Sequence, residues 1–369
     1  MKLRFVHLVS ASAVLTGAIA AAVAAPGAAQ NNPLRVGMVA VSGAADDFLG
    51  SVEISITNTS RKAVRLPKWQ LPSDQFDAKL FNVSYNGQPV AYEGAMVKRG
   101  LPQAEDFAIL QPGQTYRRVI DLSAGYDLSQ TGQYVVSFNA PLQHASTSDR
   151  VMLHQANGLP MSAQSAPLSL WVDGLDQLGG SKASPAAKKP PVGPSAIVNG
   201  VNYVGCTTSR TSSAGQAVNA ARSYAENAKG YLNAGTLGPR YTTWFGAYTS
   251  SRYSTARSHF ASIDSAIDQS NGQITINCGC NSSAYAYVYP NQPYQIYVCN
   301  AFWNAPLTGT DSKAGTLIHE MSHFTVVAGT DDHAYGQSAA KSLANSNPSA
   351  ALDNADNHEY FAENTPFQN

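Results

Sequence analysis

The period of apolar and polar positions changes along this chain, and the change divides it in two. Val52-Glu53-Ile54-Ser55-Ile56-Thr57 alternates apolar and polar, the pattern of a strand with one buried face. Asn86-Gly87, set between the strand-like runs 80–85 and 89–92, predicts a tight hairpin because both turn positions tolerate positive φ. Pro112-Gly113 precedes another such run at 116–122, and 133–138 is a further one. From about residue 33 to 175 the pattern predicts an all-β domain of short strands, arranged as an immunoglobulin-like sandwich.

Residues 179–195 then hold Gly, Ser, Pro, Ala and Lys with no aromatic side chain and almost nothing to bury. Such a stretch reads as an exposed, protease-accessible linker. Beyond it the period becomes helical. Residues 217–232 are Ala-rich with apolar positions at helical spacing, 284–289 and 294–298 read as two strands around a Pro/Asn turn, and helical sequence returns at 314–327, from 334 and from 348. The second half is expected to be α+β and mostly helical.

The N-terminus reads as a secretory signal of about 29 residues: Lys2 and Arg4, then an apolar Ala-rich stretch, then small residues. Ser10, Ser12 and Thr16 make that stretch too polar and short for a membrane anchor. The domain plan is therefore signal peptide 1–29, β-sandwich 30–178, linker 179–195 and helical domain 196–369. Net charge is zero, which argues against nucleic acid or an acidic membrane surface as the main partner. The first 195 residues carry 16 basic and 13 acidic groups and the rest carry 8 and 11, so net charges of +3 and −3 attract the halves weakly. The four cysteines, Cys206, Cys278, Cys280 and Cys299, all follow the linker, and in an exported chain they read as two disulfides. Cys278 and Cys280 are too close to pair with each other, which leaves two connectivities.

The chemistry concentrates in Thr316-Leu317-Ile318-His319-Glu320-Met321-Ser322-His323-Phe324. His319 and His323 are four residues apart, so a helix projects both imidazoles from one face toward one ion. Glu320 can stand beside the water that such an ion acidifies and take its proton. The flanks Leu317, Ile318 and Phe324 indicate a buried helix, where three polar side chains need partners that a zinc ion supplies. A catalytic zinc needs a third protein ligand and an open position. Val326 and Gly329 stand where a metzincin would have Gly and His, which excludes that class. Spacing alone leaves Glu359 and Glu363 on a later helix, and Asp331, Asp332 and His333 in the segment 329–336, where Gly329 can end the metal helix.

H-E-x-x-H followed by Gly329, Thr330, Asp332, Tyr335 and Gly336 resembles the signature of the aspzincins, the deuterolysin-type metalloendopeptidases. The resemblance implies Asp332 as third zinc ligand, one zinc per catalytic domain, and Tyr335 as donor to the developing oxyanion. It extends over nearly all of residues 200–366. Residues 240–246, Phe302-Trp303 and 354–361 look like the peptidyl-Lys branch, which implies Asp356 and Glu359 as the acidic pair binding a substrate lysine after the scissile bond. Their i, i+3 spacing puts both carboxylates on one helical face. The branch also implies the pairings Cys206–Cys278 and Cys280–Cys299. Only Lys229, Lys313 and Lys341 occur in residues 196–369, against eight lysines before them, which suits an enzyme that cuts at lysine.

The resulting expectation is a secreted, monomeric zinc endopeptidase of proteins and peptides. It would be made as a zymogen whose β-rich propeptide aids folding or covers the cleft and is removed by cutting before a linker lysine. Two other expectations stand beside it: a deuterolysin-like endopeptidase of broader specificity, with Asp356 and Glu359 structural, and a secreted binding protein with a vestigial zinc site.

Overall fold

The computed structural model describes residues 32–41, 50–173 and 193–369. The expected signal peptide and nearly all of the expected linker, with Lys182, Lys188 and Lys189, lie outside these residues. Residues 32–369 form one compact unit with two compositionally distinct regions.

The first region is β-rich. Leu34–Ala40, Ser51–Asn58 and Thr115–Asp121 form one antiparallel sheet, with Ser51–Asn58 in the middle. Its Val52, Ile54 and Ile56 are buried and its Glu53, Ser55 and Thr57 are not, as the alternation predicts. Gly132–Pro141 is the hub of another sheet, pairing with Phe81–Tyr85, Ser162–Gln164 and Leu168–Val172. The hairpin at Asn86-Gly87 forms, with φ of 50° and 76° at the two residues.

The second region is mostly helical: α1 (Thr208–Asn233), α2 (Pro239–Phe245), α3 (Ser250–Ile267), α4 (Asn300–Asn304), α5 (Lys313–His323), α6 (Gln337–Ser346), α7 (Pro348–Ala351) and α8 (Ala355–Glu363). Helix α1 begins well before residue 217, because Thr207 caps it by accepting from the Arg210 N–H. Helix α5 lies at the centre, buried from Ala314 to His323, and packs against α1 and α8. Helix α8 is buried along its whole length. Glu363 at the end of α8 accepts from the Ser312 N–H and hydroxyl at the start of α5, at 2.9 and 2.8 Å, which fixes the two helices against each other.

A six-stranded sheet flanks these helices, in the order Ser195–Val198, Val201–Val204, Thr275–Asn277, Gln295–Val298, Ala286–Val288, Met96–Lys98. The last strand comes from the β-rich region and closes the edge that Ala286–Val288 leaves open. The disulfides Cys206–Cys278 and Cys280–Cys299 tie strand ends together beside this sheet.

Candidate metal and substrate site

Helix α5 carries His319, Glu320 and His323, all buried. It ends at His323, sooner than the sequence predicts, because Thr325-Val326-Val327 is a β-branched run and the chain must double back there. Gly329, rather than capping the helix, closes the loop beyond it at φ 62°, its N–H donating to Phe324 C=O. That return brings Asp332 to the histidines. Its Oδ1 lies 3.4 Å from His319 Nε2 and 3.6 Å from His323 Nε2.

The donor set fits a zinc ion. One ligand atom from each of His319, His323 and Asp332 falls within 4.8 Å of the others. Both Nε2 atoms and both Asp332 oxygens are buried without a hydrogen-bond partner, as are both oxygens of Glu320. Orphaned buried polar atoms are costly, and a shared cation would satisfy them. The far side of each imidazole faces an acceptor: His323 Nδ1 is 2.8 Å from Thr330 C=O, and His319 Nδ1 is 2.9 Å from Asp356 Oδ1, an ion-pair distance. The other candidate ligands are engaged elsewhere. Asp331 pairs with Lys79, His333 Nε2 is 2.8 Å from Asp353, and Glu363 accepts from Ser312, the residue that caps α5.

Charge within the site follows burial and neighbours. Burial pushes the Glu320 carboxyl up to about 8, with His319 opposing, which is a range suited to moving protons near neutrality. Burial raises Asp332, but the His323 and His319 rings outweigh it and hold this carboxyl below its usual range. Burial, then the charge of Asp332, raises the Tyr335 phenol well above its ordinary value, so it is a hydrogen-bond donor at neutral pH.

Asp356 and Glu359 project from α8 into the same site, next to His319. Between them stands an ammonium that the sequence reading missed. Lys98 Nζ is 2.7 Å from Glu359 Oε2, 3.6 Å from Asp356 Oδ1 and 3.5 Å from Asp311 Oδ1, with the side chain 3% exposed. Burial lowers the Lys98 pKa, but Asp356, Glu359 and Asp311 outweigh it and hold the ammonium charged. Asp311 also went unnoticed. The Tyr360 hydroxyl donates to it at 2.8 Å. Nothing periodic marks Met96-Val97-Lys98 or Asp311 in the sequence; only the fold brings them here.

The β-rich region touches the site in two more places. Gln143 bonds both backbone groups of Tyr335, and a cavity of about 40 Å³ remains between Trp69, Gln143, Val97, Asp332 and Tyr335.

Comparisons agree with this chemistry. The profile of the aspzincin family described as lysine-specific metallo-endopeptidase matches residues 231–363. An extracellular protease of Aeromonas hydrophila is 43% identical over 358 residues, 96% of this chain and 97% of that protein. A peptidyl-Lys metalloendopeptidase of Grifola frondosa is 37% identical over 86% of this chain and 88% of its own. A solved zinc peptidase from Grifola frondosa is 49% identical and is covered completely by 44% of this chain, with a TM-score of 0.43.

Proposed function

The chain belongs to the aspzincin family of metalloendopeptidases, and from that premise we propose that it is a secreted zinc endopeptidase, cutting on the N-terminal side of lysine and made as a zymogen. The observation that carries the reading is the cluster of His319, His323 and Asp332, whose buried facing atoms have no partner, beside an equally unpartnered Glu320. Zinc held by those three residues would supply Lewis acidity, polarising the scissile carbonyl and acidifying water.

The chain's own groups do the rest. Glu320 takes the proton of the attacking water and returns it to the leaving amine. Tyr335 donates its phenol proton to the oxygen of the scissile carbonyl as negative charge develops there. Asp356 and Glu359 offer a compact ammonium two charges in a desolvated slot. This favours lysine over arginine, whose planar fork needs more room.

In the same reading, residues 30–178 are a propeptide of sandwich type that aids folding and blocks the cleft, and 196–369 are the catalytic domain, acting as a monomer. The extracellular Aeromonas relative, whose match spans nearly the whole chain, supports export of this longer form. Chelation should abolish turnover and zinc should restore it. Glu320→Gln should retain zinc and lose almost all turnover, while Asp332→Ala should lose zinc and His333→Ala keep it. A Glu320→Gln protein with near-normal turnover would overturn the assignment.

A further inference from the structure

Lys98 does more than meet two carboxylates. Its ammonium is also flanked by the rings of Tyr285 and Tyr360, with centroids 5.2 and 6.0 Å away, so charge and aromatic faces enclose it together. Its backbone is bound as well. Met96–Lys98 pairs antiparallel with Ala286–Val288, setting Lys98 opposite Ala286 and Val97 opposite Tyr287, and Lys98 C=O accepts from Tyr285 N–H at 2.9 Å. Addition to a sheet edge is a general way for an extended peptide to bind. The bond before the lysine is placed with equal consequence: the carbonyl oxygen of Val97 lies 3.5 Å from the Tyr335 hydroxyl. A lysine in the acidic slot, with the preceding carbonyl at the oxyanion donor, is the arrangement of a substrate about to be cut before lysine.

We propose that Val97-Lys98 is a built-in pseudosubstrate, and that Lys98 in the lysine slot holds the chain latent. The proposal rests on the lysine-slot reading above. A merely structural ion pair accounts for the ammonium but not for the edge-strand register or for Val97 C=O at Tyr335.

The strand is held so that cutting it would gain nothing. Met96 belongs to the hydrophobic core, and the Arg99 guanidinium pairs with Asp77 at 2.8 Å and lies over the Trp69 ring. Gln143 clamps the backbone of Tyr335 from the same region. New termini at Val97 and Lys98 would stay in place, opposed and close enough to rejoin, and the slot would stay filled.

The test uses the full chain with Lys182, Lys188 and Lys189 replaced by Gln, so that the linker stays whole, with and without Lys98→Gln. Hydrolysis of a short lysine-containing peptide should be at least tenfold faster with Lys98→Gln, and binding of a fluorescent lysine peptide should appear only in the Glu320→Gln version of that variant. Equal latency with and without Lys98 would overturn the proposal. So would mass spectra showing rapid cleavage between Val97 and Lys98 accompanied by full activity, which would make this bond a processing site. If Lys98→Gln does not fold, Lys98→Arg keeps the charge that the carboxylates require and should raise activity through poor fit; unchanged latency in that folded variant would equally overturn the proposal. Mature wild-type enzyme is the control. If it does not cut before lysine, the slot reading itself fails; if it does and latency ignores Lys98, only the pseudosubstrate fails.

Discussion

Asp356 Oδ1 stands 2.9 Å from His319 Nδ1 and 3.6 Å from Lys98 Nζ, so one carboxylate faces both the imidazole proposed to bind zinc and the ammonium in the proposed lysine slot. Its second oxygen is fixed, accepting from the Gly336 N–H at 2.6 Å. In the proposed reading, recognition and metal binding share a group.

That sharing predicts a double effect for Asp356→Asn. Zinc affinity should fall by about 10- to 100-fold, the usual cost of losing a partner to a ligating histidine. Preference for lysine should fall as well. Glu359→Gln, whose oxygen is farther from His319 at 3.3 Å, should lose lysine preference with the smaller loss of zinc. Competition with a chromophoric chelator measures the first effect and paired peptides measure the second; equal zinc loss in both variants would contradict the division.

Gly315, in the first turn of α5, is a second sensitive point. A Cβ there would meet Glu363 Oε1 at 2.0 Å, where that carboxylate accepts from the capping Ser312. Gly315→Ala should destabilise the fold by about 1–3 kcal/mol through overpacking, outweighing the better helix propensity of alanine. Urea unfolding of the inactive Glu320→Gln background reads this directly. A neutral or stabilising result would mean that Glu363 is free to move aside.

Acid sensitivity should report His358. It is fully buried beneath Phe245 and Phe260, with Nδ1 3.0 Å from Asn354 C=O and Nε2 3.0 Å from His259 Nδ1. Burial, then His259, pushes its pKa down to about 3. The unfolded chain binds a proton at this residue near pH 6.5 and the folded one does not, so its contribution falls as pH drops from about 6.5 toward 3. Between pH 7 and pH 4.5 it should cost the fold about 2–3 kcal/mol. His358→Gln, compared with its parent over that window by urea unfolding, should lose less stability on acidification. Parallel curves would remove His358 as the cause.

Processing gives a fourth expectation. Purified Glu320→Gln protein should remain full length, while wild type should shorten, slowly and between molecules through the residual activity of the latched form, to a fragment beginning at Lys182 or Lys188. Lys189 is disfavoured because Pro190 restricts its backbone. Trimming of the inactive variant at the same bond in a protease-free preparation would exclude self-processing.

Much of the architecture was legible because it rests on local period. Ser51–Asn58 alternates by twos, and α5 shows apolar flanks around polar residues four apart, which only a buried site explains. The hairpin was legible because Asn86-Gly87 suits positive φ. What was not legible depends on contacts far apart in sequence. Met96–Lys98 has three residues and no period, and it is a strand because Ala286–Val288 offers an open edge. Asp311 gains meaning from Lys98 and Tyr360, neither of them its neighbour in sequence. The early end of α5 follows from the need to return Asp332 to the histidines, a tertiary demand that apolar spacing does not register.

The most direct measurement is a cleavage map: an unfolded protein digested by the mature zinc-loaded enzyme and by Glu320→Gln carrying the same zinc, with every new N-terminus identified by mass spectrometry. The wild-type map should consist almost wholly of fragments beginning with lysine, and the Glu320→Gln map should be nearly empty. Cuts spread evenly over lysine, arginine and apolar residues, or an undiminished map from Glu320→Gln, would contradict the account.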